Sequence, residues 1–228
     1  MIVQLDKICK YYEIPERTNK RIVLKDVSLS INSGESIAIV GPSGSGKSTL
    51  LNIIGTLDKP SSGNVKFKGE IISSFNENKL ANIRNQNIGF VFQMHHLLPQ
   101  LNLLENILIP VLAEKNNNSA NNAKKLAMEL LNSVGLSDNI YQRPGQLSGG
   151  ECQRAAVVRA LINNPDLILA DEPTGSLDQE SAEQLSELLN KINKEHNTAM
   201  IVVTHSINLT KKMNKVYNLI NGNLKNNT

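Results

Sequence analysis

The densest chemistry in the chain lies in nine residues, Gly41-Pro42-Ser43-Gly44-Ser45-Gly46-Lys47-Ser48-Thr49. Glycines at these positions let the backbone curl with its N–H groups turned inward, which is what a polyanion needs. Lys47 is spaced to reach the β- and γ-phosphates of a nucleoside triphosphate, and the Ser48 hydroxyl to hold Mg²⁺. The pattern carries this meaning only between a strand and a helix. An apolar run over 36–40 precedes it, and Leu50, Leu51, Ile53 and Ile54 follow at helical spacing. A helix starting near Lys47 adds a partly positive N-terminus. A plain Gly/Ser turn before a helix is the ordinary alternative, and the matched context argues against it.

Four further polar groups close apolar runs. Residues 166–172 read as a buried strand ending in Asp171 and Glu172; 87–92 ends at Gln93; 199–204 ends at His205. Asp171 suits Mg²⁺ beside a phosphate loop, and Glu172 suits orienting or deprotonating a water at the γ-phosphate. Gln93 offers a carbonyl oxygen and an NH₂ to bridge metal and water, and His205 can donate to the γ-phosphate. A strand-end histidine is more often structural; sharing one sheet edge with three other candidates favours function here. The reaction these groups suit is transfer of a phosphoryl group from ATP to water. A second anion site is written into Leu147-Ser148-Gly149-Gly150-Glu151, a turn opening a helix. One chain has a single phosphate loop, so this turn finds a ligand only in a two-fold pair, each turn capping the other chain's ATP.

The elements that must hold these groups can be read from periodicity. Residues 2–8 and 21–31 alternate apolar and polar, as half-buried antiparallel strands do. Pro15 and charged residues mark the loop between them, with Tyr11 and Tyr12 at its start; either ring can pack on the sheet or face a flat base. A strand is expected over 64–68, a short helix over 76–84, and a strand near 216–220 before a tail. Between 93 and 165 the pattern turns helical: 103–113 broken by Pro110, 123–134 stopped by Gly135, and 149–163. The Asn-rich stretch 115–122 reads as a loop entering a helix near Ser119. Wholly apolar strands alternating with helices predict a parallel sheet covered on both faces, with its site at the carboxyl ends of the strands.

Composition narrows the class. Net charge is +3 from 24 basic and 21 acidic residues, with no basic block to suggest nucleic acid. No run approaches the ~18 apolar residues of a membrane span, and the start reads as a strand, so a cytosolic location is expected. Cys9 and Cys152 fit no zinc spacing, and His95, His96, His196 and His205 lack metal-site company. A chain with long coiled-coil inserts or two nucleotide sites, acting on DNA or ribosomes, is disfavoured, since a single phosphate loop and no repeat are present.

Taken together, 41–49, Gln93, 147–151, 167–172, Ser176-Leu177-Asp178 and His205 resemble the nucleotide-binding subunit of ATP-binding cassette transporters, over nearly the whole chain. The resemblance implies an α/β fold of the P-loop NTPase (RecA-like) kind: a parallel sheet core, an antiparallel β subdomain and an inserted α-helical subdomain. It implies one domain over 1–228, with 1–93 and 161–228 as core and 94–160 as the helical insert. Tyr12, two residues after Lys10, matches the aromatic that stacks on adenine. ATP and Mg²⁺ are the implied cofactors, and a homodimer beneath two integral membrane permease subunits the implied assembly, on the cytoplasmic face of the inner membrane. Residues 92–99, Leu104-Glu105-Asn106 and 170–175 are more narrowly similar to the LolD/MacB group, and His95-His96-Leu97-Leu98-Pro99 leans to its lipoprotein-releasing branch, with LolC/LolE-like partners. Macrolide or peptide efflux and regulation of cell-wall hydrolysis are the other activities of similar subunits. Cys152 departs from the usual signature continuation, and Ser176 from the usual Asn or Ala; a thiol near a dimer seam implies sensitivity to oxidation if exposed.

Overall fold

Alternation along each strand decides which layer it joins. The computed structural model describes residues 1–13, 20–113 and 117–227, with backbone only over 117–121. The strands are β1 (Val3–Glu13), β2 (Lys20–Ile31), β3 (Ser36–Val40), β4 (Ser62–Phe67), β5 (Glu70–Ile71), β6 (Ile88–Phe92), β7 (Leu167–Asp171), β8 (Ala199–Val203), β9 (Lys215–Ile220) and β10 (Asn223–Asn226). The helices are α1 (Lys47–Ile54), α2 (Glu77–Asn87), α3 (Leu103–Leu108), α4 (Asn117–Ser133), α5 (Gly149–Leu161), α6 (Gln179–His196) and α7 (Ile207–Thr210).

The half-polar strands form a four-stranded antiparallel sheet in the order β2-β1-β4-β5. The apolar strands form a six-stranded sheet, β10-β9-β3-β8-β7-β6, parallel except for β10. Successive side chains of that sheet go to opposite layers. Ile37, Ile39, Leu167, Leu169, Ile201 and Val203 pack with α1 and the antiparallel sheet. Ile168, Ala170, Met200 and Val202 pack with Val157 of α5 and Leu185 and Leu189 of α6. The phosphate-loop helix thus lies between two sheets. Leu50, Leu51, Ile53 and Ile54 are each no more than 1% exposed, and burial of such side chains stabilises by about 1.5–3 kcal/mol apiece. A third cluster joins Leu103, Leu104 and Ile107 of α3 to Leu131 of α4 and Ala155 and Val158 of α5.

This is the expected fold class, with parallel core, antiparallel sheet and inserted helices. Some boundaries differ. The tail after 220 folds back as β10 on β9, since Asn221 and Gly222, both at positive φ, make a tight reversal. The helix expected from near Ser119 begins at Asn117, and Pro110 converts the end of the 103–113 helix into a 3-10 segment, Ile109–Ala113. The loop around Pro15 and residues 114–116 lie outside the described residues. No helix among the described residues is long and apolar enough to cross a membrane.

Candidate active site

The phosphate loop leaves the carboxyl end of β3 and enters α1. Gly41 and Gly46 have φ of 151° and 104°. A Cβ on Gly41 would sit 2.2 Å from the Leu219 carbonyl oxygen, and one on Gly46 2.9 Å from Val23 Cγ1, so the loop's closeness to β9 and β2 requires glycine. Lys47 is 7% exposed. Its Nζ donates to the carbonyls of Gly41 at 2.8 Å and Pro42 at 3.1 Å, which fixes the ammonium inside the curl of its own loop. Ser45 Oγ is buried and has no hydrogen-bond partner among the described residues.

The acids stand at the end of β7. Glu172 follows the last strand residue at φ 47°, a left-handed conformation costly for a side chain of this kind, on the order of 1–3 kcal/mol. Two backbone bonds hold it there: its N–H donates to Val203 O (2.8 Å) and its carbonyl accepts from Gly175 N (3.0 Å). Its carboxylate is turned toward β8, with Oε2 accepting from the His205 N–H at 3.1 Å and Oε1 standing 3.2 Å from His205 Nε2. Gln93 follows β6, its carbonyl accepting from Ser176 Oγ at 3.1 Å.

β3, β8, β7 and β6 are neighbours, so their carboxyl ends open on one place. There, Tyr12, Ser43, Gly44, Gly46, Lys47, Ser48, Thr49, Gln93, Asp171, Glu172 and His205 line a single open cavity of about 640 Å³. Pro42 and Ser45 line an adjoining cavity that shares Ser43 and Gly44 with the first, and Gly41 stands against the Leu219 carbonyl. Tyr12 lines the nucleotide-sized cavity and Tyr11 does not.

The signature turn is elsewhere: Ser148, Gly149, Gly150 and Glu151 are absent from the cavity wall. They open α5 with a reciprocal cap. Ser148 Oγ accepts from Glu151 N (3.2 Å) and donates to Glu151 Oε2 (2.9 Å), which also accepts from Ser148 N (2.8 Å). The Ser148 backbone N–H, then its hydroxyl, hold the Glu151 carboxyl below the usual carboxylate range. Gly150 packs against the start of α6, where a Cβ would meet Ser181 Oγ at 2.7 Å.

Arg21, Val23, Gly175 and Val203 also line the cavity and were not singled out from sequence. Arg21 lies directly across from Tyr12 in the β1–β2 register, so the two share a face; the bulges in β1 hide that pairing from the sequence. Cys152 is 2% exposed, its Sγ lies 3.6 Å from the Pro144 carbonyl, and burial followed by the Glu151 charge pushes its pKa up; it is a packing residue, not an oxidation-prone surface thiol. Of the apolar residues after Gln93, Leu97, Leu103 and Leu104 are core, while Met94 and Leu98 are 63% and 48% exposed.

A family model described as ABC transporter matches residues 24–175. Two solved structures are similar over nearly all of both chains. The dimeric post-hydrolysis state of the ATP-binding cassette MJ0796 bound to ADP and Pi has 41% identity and a TM-score of 0.89, covering 98% of this chain and 97% of that one. A dimeric structure of MJ0796 described as a bacterial ABC transporter cassette has 40% identity and a TM-score of 0.88, with the same coverage.

Proposed function

The chain belongs to the ABC transporter family and is an ATP hydrolase, and from that premise we propose that it works as a homodimeric motor for membrane subunits, its catalytic roles divided as follows. The supporting observation is the meeting of four strand ends at one cavity. The loop from Gly41 to Thr49 and the N-terminus of α1 receive the β- and γ-phosphates, with Lys47 exchanging loop carbonyls for phosphate oxygens. Tyr12 stacks on adenine.

Ser48, Asp171 and Gln93 share the cavity and present an all-oxygen set, which fits Mg²⁺. Among the described residues no group of three or more His, Cys, Asp and Glu is arranged to hold a metal ion by itself; Ser48, Asp171 and Gln93 would hold Mg²⁺ together with phosphate oxygens and water. When bound, Mg²⁺ neutralises charge on the β- and γ-oxygens. Glu172 takes the proton of the attacking water, Gln93 helps orient that water, and His205 steadies the Glu172 carboxylate and donates toward the γ-phosphate.

The signature turn lies away from its own chain's cavity, and the similar cassettes are dimers. Both support a two-fold pair in which Ser148, Gly149, Gly150 and Glu151 cover the partner's ATP. In that pair the Ser148 hydroxyl turns from Glu151 Oε2 to a phosphate oxygen. The motor drives two integral permease subunits, LolC/LolE-like, from the cytoplasmic face of the inner membrane. Exposed Met94 and Leu98, and a groove of about 430 Å³ running from α2 and β6 to Pro110, support such docking. The run 92–99 supports lipoprotein release as the work done; release of lipoprotein by the reconstituted assembly, against efflux of a macrolide, decides between the two cargoes. The central test is Glu172→Gln, which keeps shape and loses basicity. Turnover should fall by about 10²–10⁴-fold while ATP binding survives and the closed dimer accumulates; wild-type turnover in this variant would remove Glu172 from its role.

A further inference from the structure

The backbone on either side of Gln93, the residue that follows β6, is fastened from two directions. On one side is α5, the helix that begins at the signature turn. Gln153 of α5 is 1% exposed, and its Nε2 donates to the Phe92 carbonyl at 2.7 Å. Six residues further along the same helix, Arg159 donates from Nη1 to the His96 carbonyl (2.7 Å) and from Nη2 to the His95 carbonyl (2.8 Å). On the other side, the Gln93 carbonyl is held by Ser176, just past the two acids. A buried side-chain amide costs free energy unless its polar atoms are met, and a guanidinium fork is suited to two acceptors where lysine is a point charge. Both side chains spend their donors on one five-residue stretch of backbone, 92–96. His96 within it stands at φ 47°, so the stretch is not a relaxed turn that would take this path unaided.

We propose that Gln153 and Arg159 are positioning residues for Gln93, strapping the backbone of 92–96 to α5 so that the reach of the Gln93 side chain into the cavity is set by where the signature helix stands. Because Ser176 holds the next carbonyl to the loop behind Glu172, a displacement of α5 relative to that loop is delivered across a single residue, Gln93. The proposal rests on the reading of Gln93 as a group acting on metal and water, and it adds which bonds aim it.

The test uses the full-length chain and a steady-state ATPase assay with Mg²⁺-ATP, in parallel with thermal melting. Gln153→Met keeps length and volume and removes the donor; Arg159→Lys keeps the charge and removes the fork. Each should lower kcat about tenfold or more, the scale of lost supporting hydrogen bonds at a metal site, with KM for ATP within about two-fold. In a Gln93→Ala background neither should lower kcat further, because there is no side chain left to aim. Unchanged kcat in both variants overturns the proposal. So does a drop that persists undiminished in the Gln93→Ala background, which marks general damage to the fold. Should Gln153→Met fail to fold, Arg159→Lys decides by the same two criteria. If Gln93→Ala itself turns over like wild type, the reading of Gln93 falls first and takes the proposal with it. That result is distinct from one in which Gln93→Ala is slow and the α5 variants are not.

Discussion

Tyr12 divides its duties between its two ends. The phenol O–H donates to Asp58 Oδ2 at 2.9 Å, and Lys10 Nζ bridges to Asp58 Oδ1 at 2.6 Å while standing 4.9 Å from the Tyr12 ring centre. Burial works to raise the Asp58 pKa, but the hydrogen bonds from Lys10 and Tyr12 hold it below the usual range. The ring is therefore anchored at its oxygen and 43% exposed, ready for a flat partner. Tyr12→Ala should weaken binding of a fluorescent ATP analogue about tenfold or more, since stacking of a base on an aromatic is worth ~1–3 kcal/mol. Tyr12→Phe, which keeps the ring, should change it less than about three-fold, and Tyr11→Ala should leave it alone. An equal loss in Tyr11→Ala and Tyr12→Ala would mean that the ring's position does not matter. Simple alternation did not tell these tyrosines apart, because β1 slips register between Leu5 and Ile8, between Ile8 and Lys10, and between Lys10 and Tyr11. Each bulge resets which face the next side chain takes. Asp171, Glu172, Gln93 and His205 were legible because each simply ends an apolar run; the left-handed turn at Glu172 was not, since nothing in glutamate's own preferences asks for it.

At the scale of an element, the segment after β6 shows what an apolar run does and does not say. Its leucines announce burial, but no helical or strand period sorts them. Asn106 does the sorting. Its side chain, 0% exposed, accepts from Leu98 N and donates to the carbonyls of Leu98, Leu101 and Asn102. With the backbone gathered around that amide, Leu97 enters the helical cluster and Leu98 faces outward. Leu97→Ser should cost about 2–5 kcal/mol in urea unfolding, the range for emptying a buried leucine site. Leu98→Ser should stay within about 0.5 kcal/mol, as surface changes do. Loss of membrane-subunit binding should follow Leu98→Ser alone; a stable, fully docking Leu98→Ser variant would move the docking surface elsewhere. The cap at Ser148 has the same logic on a smaller scale. Ser and Glu three apart before an apolar helix read as an anion-binding turn, and the same spacing suits the reciprocal cap in which the hydroxyl engages its own glutamate.

Over the whole molecule the order of strands in space is not their order in the chain. β8 lies between β3 and β7, so Ser36 is paired with Met200 and Leu167 with Ala199. The parallel, two-faced sheet could be read from unbroken apolar runs. The order of its strands could not, because every such run offers the same two apolar faces and the choice of neighbour is made by crossovers and packing.

That order also makes the site depend on strands that follow its phosphate loop and acids in the chain. The phosphate loop has no floor until β9 supplies the Leu219 carbonyl beneath Gly41. The loop and the acids are not at their working separation until β8 slides between their strands. A fragment ending at residue 195 carries the phosphate loop, Gln93, the signature turn and both acids, and should still fail to retain the ATP analogue that the whole chain holds; full-affinity binding by the fragment would show the site assembling without its central strand. For a nascent chain emerging from the ribosome, capture of nucleotide thus reports that β8 and β9 have joined the sheet. The ligand that reads it also enforces it: at one hundred times its Kd a nucleotide adds about 2.7 kcal/mol to the finished fold, and nothing to a chain whose last strands have yet to arrive.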